Sequence, residues 1–70
     1  MRKEELVLMF PKNYYDLETL MSKTHEELYQ WYRADKDVYY IDSLKVFADE
    51  LTQGLLDVNK YHFIHIEITR

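Results

Sequence analysis

The sequence contains no cysteine, a single glycine and a single proline. Without cysteine there is no disulfide, no thiolate metal site and no cysteine nucleophile. With Gly54 and Pro11 as the only strong breakers, most of the chain is expected to form regular elements joined by short connections. Long apolar runs are missing too, so no membrane span is expected. Met1-Arg2-Lys3 is followed by Glu4-Glu5 and a short apolar stretch, which does not read as a secretory signal. Positive charge is scarce and scattered: nine Lys and Arg stand against 13 Asp and Glu, a net charge of −4. An acidic balance repels phosphate, so direct nucleic-acid binding is not expected. Residues 14–34 could form a helix–turn–helix-like pair, but a helix in a phosphate-lined groove needs more cations than Arg33 and Lys36, which Asp35 and Asp37 interrupt. The expectation is one cytoplasmic domain spanning 1–70.

What the chain does have is apolar and aromatic weight. Leu, Ile, Val and Phe are too frequent, and the net charge too small, for a disordered chain. A domain of this size buries only roughly 60% of its unfolded surface, so its core is marginal. Seven Tyr, three Phe and one Trp add buried area per residue. Oligomerisation is the other common remedy.

Hydropathy patterning predicts the elements. Leu6 to Phe10 is a continuous apolar run ending at Pro11, the pattern of an interior strand covered on both faces. Asn13 or Asp16 can cap a first helix carrying Tyr14, Leu17, Leu20 and Met21. Thr24 with Glu27 fits a capping box for a second helix with Leu28, Trp31 and Tyr32 on one side. Two helices, 14–22 and 25–34, are preferred over one long one. Val38 to Ile41 has strand composition but is short enough for an edge. Leu44, Phe47, Ala48, Leu51 and Leu55 then recur at helical spacing and are expected to face the core. Asp42 is the expected N-cap, with Ile41 and Val46 as a hydrophobic staple. Gly54 suits the position just past the helix, with Leu55 folding back. In 61–69, Ile64, Ile66 and Ile68 alternate with Tyr61, Phe63, His65 and Glu67. The sum is a small two-layer α+β domain. Two or three helices pack on one face of a two- or three-stranded sheet that the N- and C-terminal strands form together.

Signals for chemistry are weak. His65 and Glu67 share a strand face about 7 Å apart and could share an ion. His62 points the other way, His25 lies far along the chain, and no second pair of ligands presents itself, so no metal or other cofactor is expected. Asp35-Lys36-Asp37 resembles the start of a calcium loop. However, Tyr40 stands where that loop needs Gly, and Val46 where it needs Glu. The acidic pairs Glu4-Glu5, Glu26-Glu27 and Asp49-Glu50 are sequence neighbours whose side chains diverge. Ser22 and Ser43 fall at helix starts without a nucleophile-elbow pattern. The chain does not read as an enzyme.

The tyrosine excess is the most informative feature. Tyr offers rigid contact area with a polar tip, which suits protein interfaces, although half-buried Tyr at the rim of a small core is equally ordinary. Tyr14-Tyr15 and Tyr39-Tyr40 both precede helices and could meet at one end. With Trp31 and Tyr32 they would form a patch edged by Asp16, Asp35, Asp37 and Asp42. Tyr61, Phe63 and His65 mark a second face, free to meet another copy of the chain because the helices are expected to cover only one side. The functional expectation is a non-enzymatic protein-interaction domain that regulates or inhibits a partner by docking this surface, with homodimerisation as one mode. The alternative is an inhibitor of phage or mobile-element type that imitates nucleic acid, although −4 over 70 residues is a thin charge for a mimic.

Overall fold

In the computed structural model, which describes residues 2–69, the chain runs β1 (Lys3–Pro11), α1 (Leu17–Met21), α2 (His25–Ala34), β2 (Tyr39–Ile41), α3 (Leu44–Thr52), β3 (Tyr61–Thr69). The strands form one antiparallel sheet in the order β2-β1-β3. β1 is central because its apolar residues alternate on both sides and can be covered on both. Its partners run from Lys3↔Thr69 to Pro11↔Tyr61 along β3, and from Val7↔Ile41 to Met9↔Tyr39 along β2. The domain is therefore α+β, with its N- and C-terminal strands paired and three helices packed against the sheet.

The helix boundaries follow local hydrogen bonds. The Pro11 carbonyl accepts from both Tyr14 and Tyr15 N–H at 3.1 Å. That turn keeps Tyr14 out of the helix, and α1 begins only after Asp16, whose carboxylate accepts from Thr19 N–H. The capping box of α2 is complete: Thr24 Oγ1 accepts from Glu27 N–H at 3.1 Å, and Glu27 accepts from Thr24 N–H at 2.9 Å. This reciprocal cap makes 17–21 and 25–34 two helices rather than one. α3 is capped by Ser43, whose Oγ accepts from Val46 N–H at 3.1 Å. The cap is thus one residue later than expected, so Ile41 and Val46 no longer hold the two staple positions, although both line the groove between α3 and the sheet. At its other end Gly54 has φ +73°. Leu55 N–H donates to the Glu50 carbonyl (2.9 Å) and Gly54 N–H to that of Leu51 (3.1 Å), a Schellman termination.

The two sheet faces are treated differently. Leu6, Leu8, Phe10, Ile64, Ile66 and Ile68 share one face by register. α1 contributes Leu20 and α2 contributes Leu28 to the core on that side, together with Val38. Leu8, Phe10, Leu20 and Ile66 are wholly inaccessible to solvent. β2 and β3 flank β1 and run parallel to each other, so the connection between them has to cross a face of the sheet. The isoleucine face is occupied, and α3 crosses the other. There the Phe47 ring meets Phe63 at 5.5 Å, and Val46 and Glu50 lie along a shallow groove with Met9, Tyr39 and Ile41. The expectation that the second face would be left bare by the helices is thus corrected.

α3 also corrects the expected core. The half-buried residues it turns toward the sheet are Ser43, Phe47 and Glu50, at helical spacing, with Val46, 41% exposed, at the groove beside them. The stripe Leu44-Ala48-Leu51-Leu55 is rotated away: Leu44 is 42% exposed, Leu51 43% and Leu55 65%, and α3 contains no fully buried residue. Leu51 is not a core residue, and Leu55 does not fold back under cover. The cause is that α3 must bridge two strand ends across Phe63, and the Phe47–Phe63 contact sets its rotation.

Candidate functional site

The aromatic residues singled out above fall into three groups. In the first, Tyr15 packs edge-on against Phe10 at 5.0 Å and in a tilted contact against Trp31 at 5.8 Å. Its hydroxyl donates to the Asp35 carboxylate. Burial, then the hydrogen bond to Asp35, push the Tyr15 phenol up to about 12. The same bond, with a second from Asp37 N–H at 2.9 Å, holds Asp35 below the usual carboxylate range. Tyr14, Tyr15 and Trp31 line a cleft of about 420 Å³ with Asp16 and Asp35, and Lys23 Nζ stands 5.4 Å from the Trp31 ring. Tyr14 itself is 73% exposed.

The second group is Tyr29, Tyr32 and Tyr40. Tyr32 meets Tyr29 at 5.9 Å and Tyr40 at 5.4 Å, and burial followed by the neighbouring Tyr40 raises its phenol. The third group lies on the α3 side. Tyr39 meets Tyr61 at 6.3 Å, and Tyr61 meets Phe63 at 6.5 Å. Tyr39 and Tyr40 are strand neighbours and point to opposite faces. One contiguous patch of both tyrosine pairs with Trp31 and Tyr32 is therefore divided by the sheet. Tyr14 partly rejoins it: with Tyr39 and Tyr61 it lines a small concavity edged by Asp37 and Lys60.

Phe63 is half-buried beneath Phe47, so part of the expected interface face is covered from within the chain. His65 and Glu67 follow on β3, and register places Glu5 of β1 directly opposite Glu67. One ligand atom from each of these three side chains lies within 4.8 Å of the others. Sequence spacing revealed His65 and Glu67; Glu5 is 60 positions before His65 and is brought in only by the β1–β3 register.

What sequence reasoning missed is the outer stripe of α3. Leu44, Leu51 and Leu55 read as core, and nothing in their spacing distinguishes a buried stripe from an unpartnered one. Several polar residues of catalytic type, by contrast, are engaged in local structure. Ser22 Oγ donates to the Thr19 carbonyl at 2.6 Å, and Ser43 caps α3. Asp16 and Glu27 hold helix starts, and Asp57 accepts from Asn59 N–H at 3.0 Å. Among the described residues no helix is long and apolar enough to cross a membrane. The fold and this surface define a small α+β domain with an apolar and aromatic exterior on its α3 side. No protein-family model, curated protein or solved structure matches the chain.

Proposed function

We propose that the chain is a non-enzymatic protein-interaction domain that docks through the α3 side of the molecule. The observation that carries this reading is the outward rotation of α3, which leaves Leu44, Leu51 and Leu55 in solvent. A chain this small gains little from apolar residues it does not bury, and an apolar helix stripe beside exposed tyrosines is what a partner surface covers. Tyr39, 53% exposed, borders the same side. The simplest occupant is a second copy: two α3 stripes packed against each other form a self-complementary, isologous contact, and added burial offsets the small core. Tyr61, Phe63 and His65 share the α3 face of the sheet and Tyr14 borders it beside Tyr39 and Tyr61, whereas Tyr15, Trp31, Tyr32 and Tyr40 lie on the opposite face and stand outside this contact. Mimicry of nucleic acid is less well supported, because a net charge of −4 over 70 residues is thin for the dense acidic array a mimic needs.

Sedimentation velocity on the purified chain tests the reading. A dimer at tens of micromolar is expected for wild type, and a folded monomer for Leu51→Asp, since a carboxylate buried in the contact would lack a partner. A wild-type monomer at high micromolar concentration rejects self-association. If Leu51→Asp instead remains dimeric, the contact lies elsewhere than on α3.

A further inference from the structure

Like charges placed directly opposite each other on neighbouring strands destabilise a sheet, and the β1–β3 register does this with Glu5 and Glu67. On one side the repulsion is relieved by Lys3, whose Nζ lies 3.1 Å from Glu67 Oε2. On the other stands His65, two residues before Glu67 on the same strand and therefore on the same face. Its Nε2 is inaccessible to solvent and has no hydrogen-bond partner among the described residues. The nearest carboxylate oxygen, Glu5 Oε1, is 3.8 Å away, beyond hydrogen-bond reach. A buried ring nitrogen with no partner costs free energy unless something binds it. Two opposed carboxylates and an unpartnered imidazole nitrogen are thus held together, each supplying a ligand atom within 4.8 Å of the other two.

We propose that Glu5, His65 and Glu67 form a binding site for a divalent cation of the zinc class. Mixed imidazole and carboxylate ligands suit zinc and its transition-metal neighbours, whereas calcium and magnesium take oxygen ligands throughout. Ligand atoms each about 2 Å from one ion lie within about 4 Å of each other. Binding would draw the present spacing in to that distance by side-chain rotation, for which Glu5 (45% exposed) and His65 (36% exposed) have room on their solvent side. Three protein ligands leave at least one position for water. The ion would neutralise the Glu5–Glu67 opposition, occupy Nε2 of His65, and tie the first strand to the last. Lys3 is its competitor, since its ammonium already holds Glu67.

Calorimetric titration of the metal-free full chain with zinc chloride is the test. One equivalent bound per chain is expected. His65→Ala and Glu5→Gln should each weaken binding at least about tenfold, with far-ultraviolet circular dichroism reporting that the fold is kept. Lys3→Ala should bind zinc several-fold more tightly. The wild-type chain gives an independent readout: zinc should shift the imidazole resonances of His65 most strongly and leave those of His62, on the opposite face of β3, in place. No binding at about 100 μM zinc, wild-type affinity in His65→Ala, unchanged affinity in Lys3→Ala, or shifts centred on His62 or His25 would each overturn the site.

Discussion

Tyr15 shows how a single side chain can be assigned work that its sequence neighbours do not share. Tyr14 beside it lies in solvent, while Tyr15 is wedged between Phe10 and Trp31 and donates to Asp35. The phenol has to stay protonated to donate, and the carboxylate has to stay ionised to accept. Because the folded Tyr15 pKa is raised from 10.0 to about 12, its contribution is complete below pH 10 and lost as pH rises toward 12. The Asp35 pKa is lowered from 3.8, so that contribution is complete above this value and lost as pH falls through the folded one. Tyr15→Phe is therefore expected to lower the denaturant midpoint by a constant amount across the neutral range. The difference from wild type should shrink above pH 10 and again in acid. A difference that does not change with pH at either end would mean that the ring contacts, not the hydrogen bond, carry the effect.

The elements differ sharply in how much they bury. α1 is only five residues long, yet its Leu20 is wholly inaccessible. α3 is nine residues long and buries none fully. Leu20→Ala is expected to cost about 2–5 kcal/mol in chemical denaturation, through lost burial and a residual cavity. Leu51→Ala, on the outer stripe, should cost no more than about 0.5 kcal/mol under conditions where the chain is monomeric. Comparable losses at both positions would contradict the rotation of α3. Termination of that helix gives a separate prediction. Apart from its two chain neighbours, no atom of the described residues lies within 4 Å of where a Cβ would stand on Gly54, so the cost of Gly54→Ala is conformational. At φ +73° it should destabilise by about 1 kcal/mol, where the same change inside a helix would stabilise.

At the scale of the whole molecule, the sheet has two edges, and each is treated differently. β2 is three residues long, too short to template another strand. β3 is nine residues long and lies at the opposite edge, but the Glu67 N–H donates to His25 Nδ1 at 3.0 Å, so the first residue of α2 covers part of it. The connection before β3 is held as well: Lys12 N–H donates to the Lys60 carbonyl and Lys12 Nζ to that of Val58, both at 3.0 Å. With the strand edges partly closed, the exposed apolar side of α3 is the surface to which the proposal assigns association, although Leu17 and Met21 of α1 are exposed as well. This is why the dimer test is placed on Leu51 rather than on Phe63. Phe63→Asp would disrupt the packing with Phe47 and so confuse folding with assembly.

Local chemistry was legible in the sequence wherever the cause was local. The Thr24–Glu27 capping box, the left-handed Gly54, the alternation of Ile64, Ile66 and Ile68, and the interior character of Leu6–Phe10 are each set within a few residues. The α+β class followed from them, as did the pairing of the terminal strands. Three features required the assembled fold. Which stripe of α3 meets the sheet depends on where Phe63 stands when the helix crosses, and periodicity names a stripe without naming its partner. Division of the tyrosines depends on β2 pairing at Tyr39 and Tyr40, which sends adjacent side chains to opposite faces. The Glu5–His65–Glu67 cluster depends on a register between residues at the two ends of the chain. Sequence patterning determined the elements because backbone hydrogen bonds and caps act over a turn or two. Only the tertiary structure decided the surfaces, because what a side chain faces is set by residues that are neighbours in space and not in sequence.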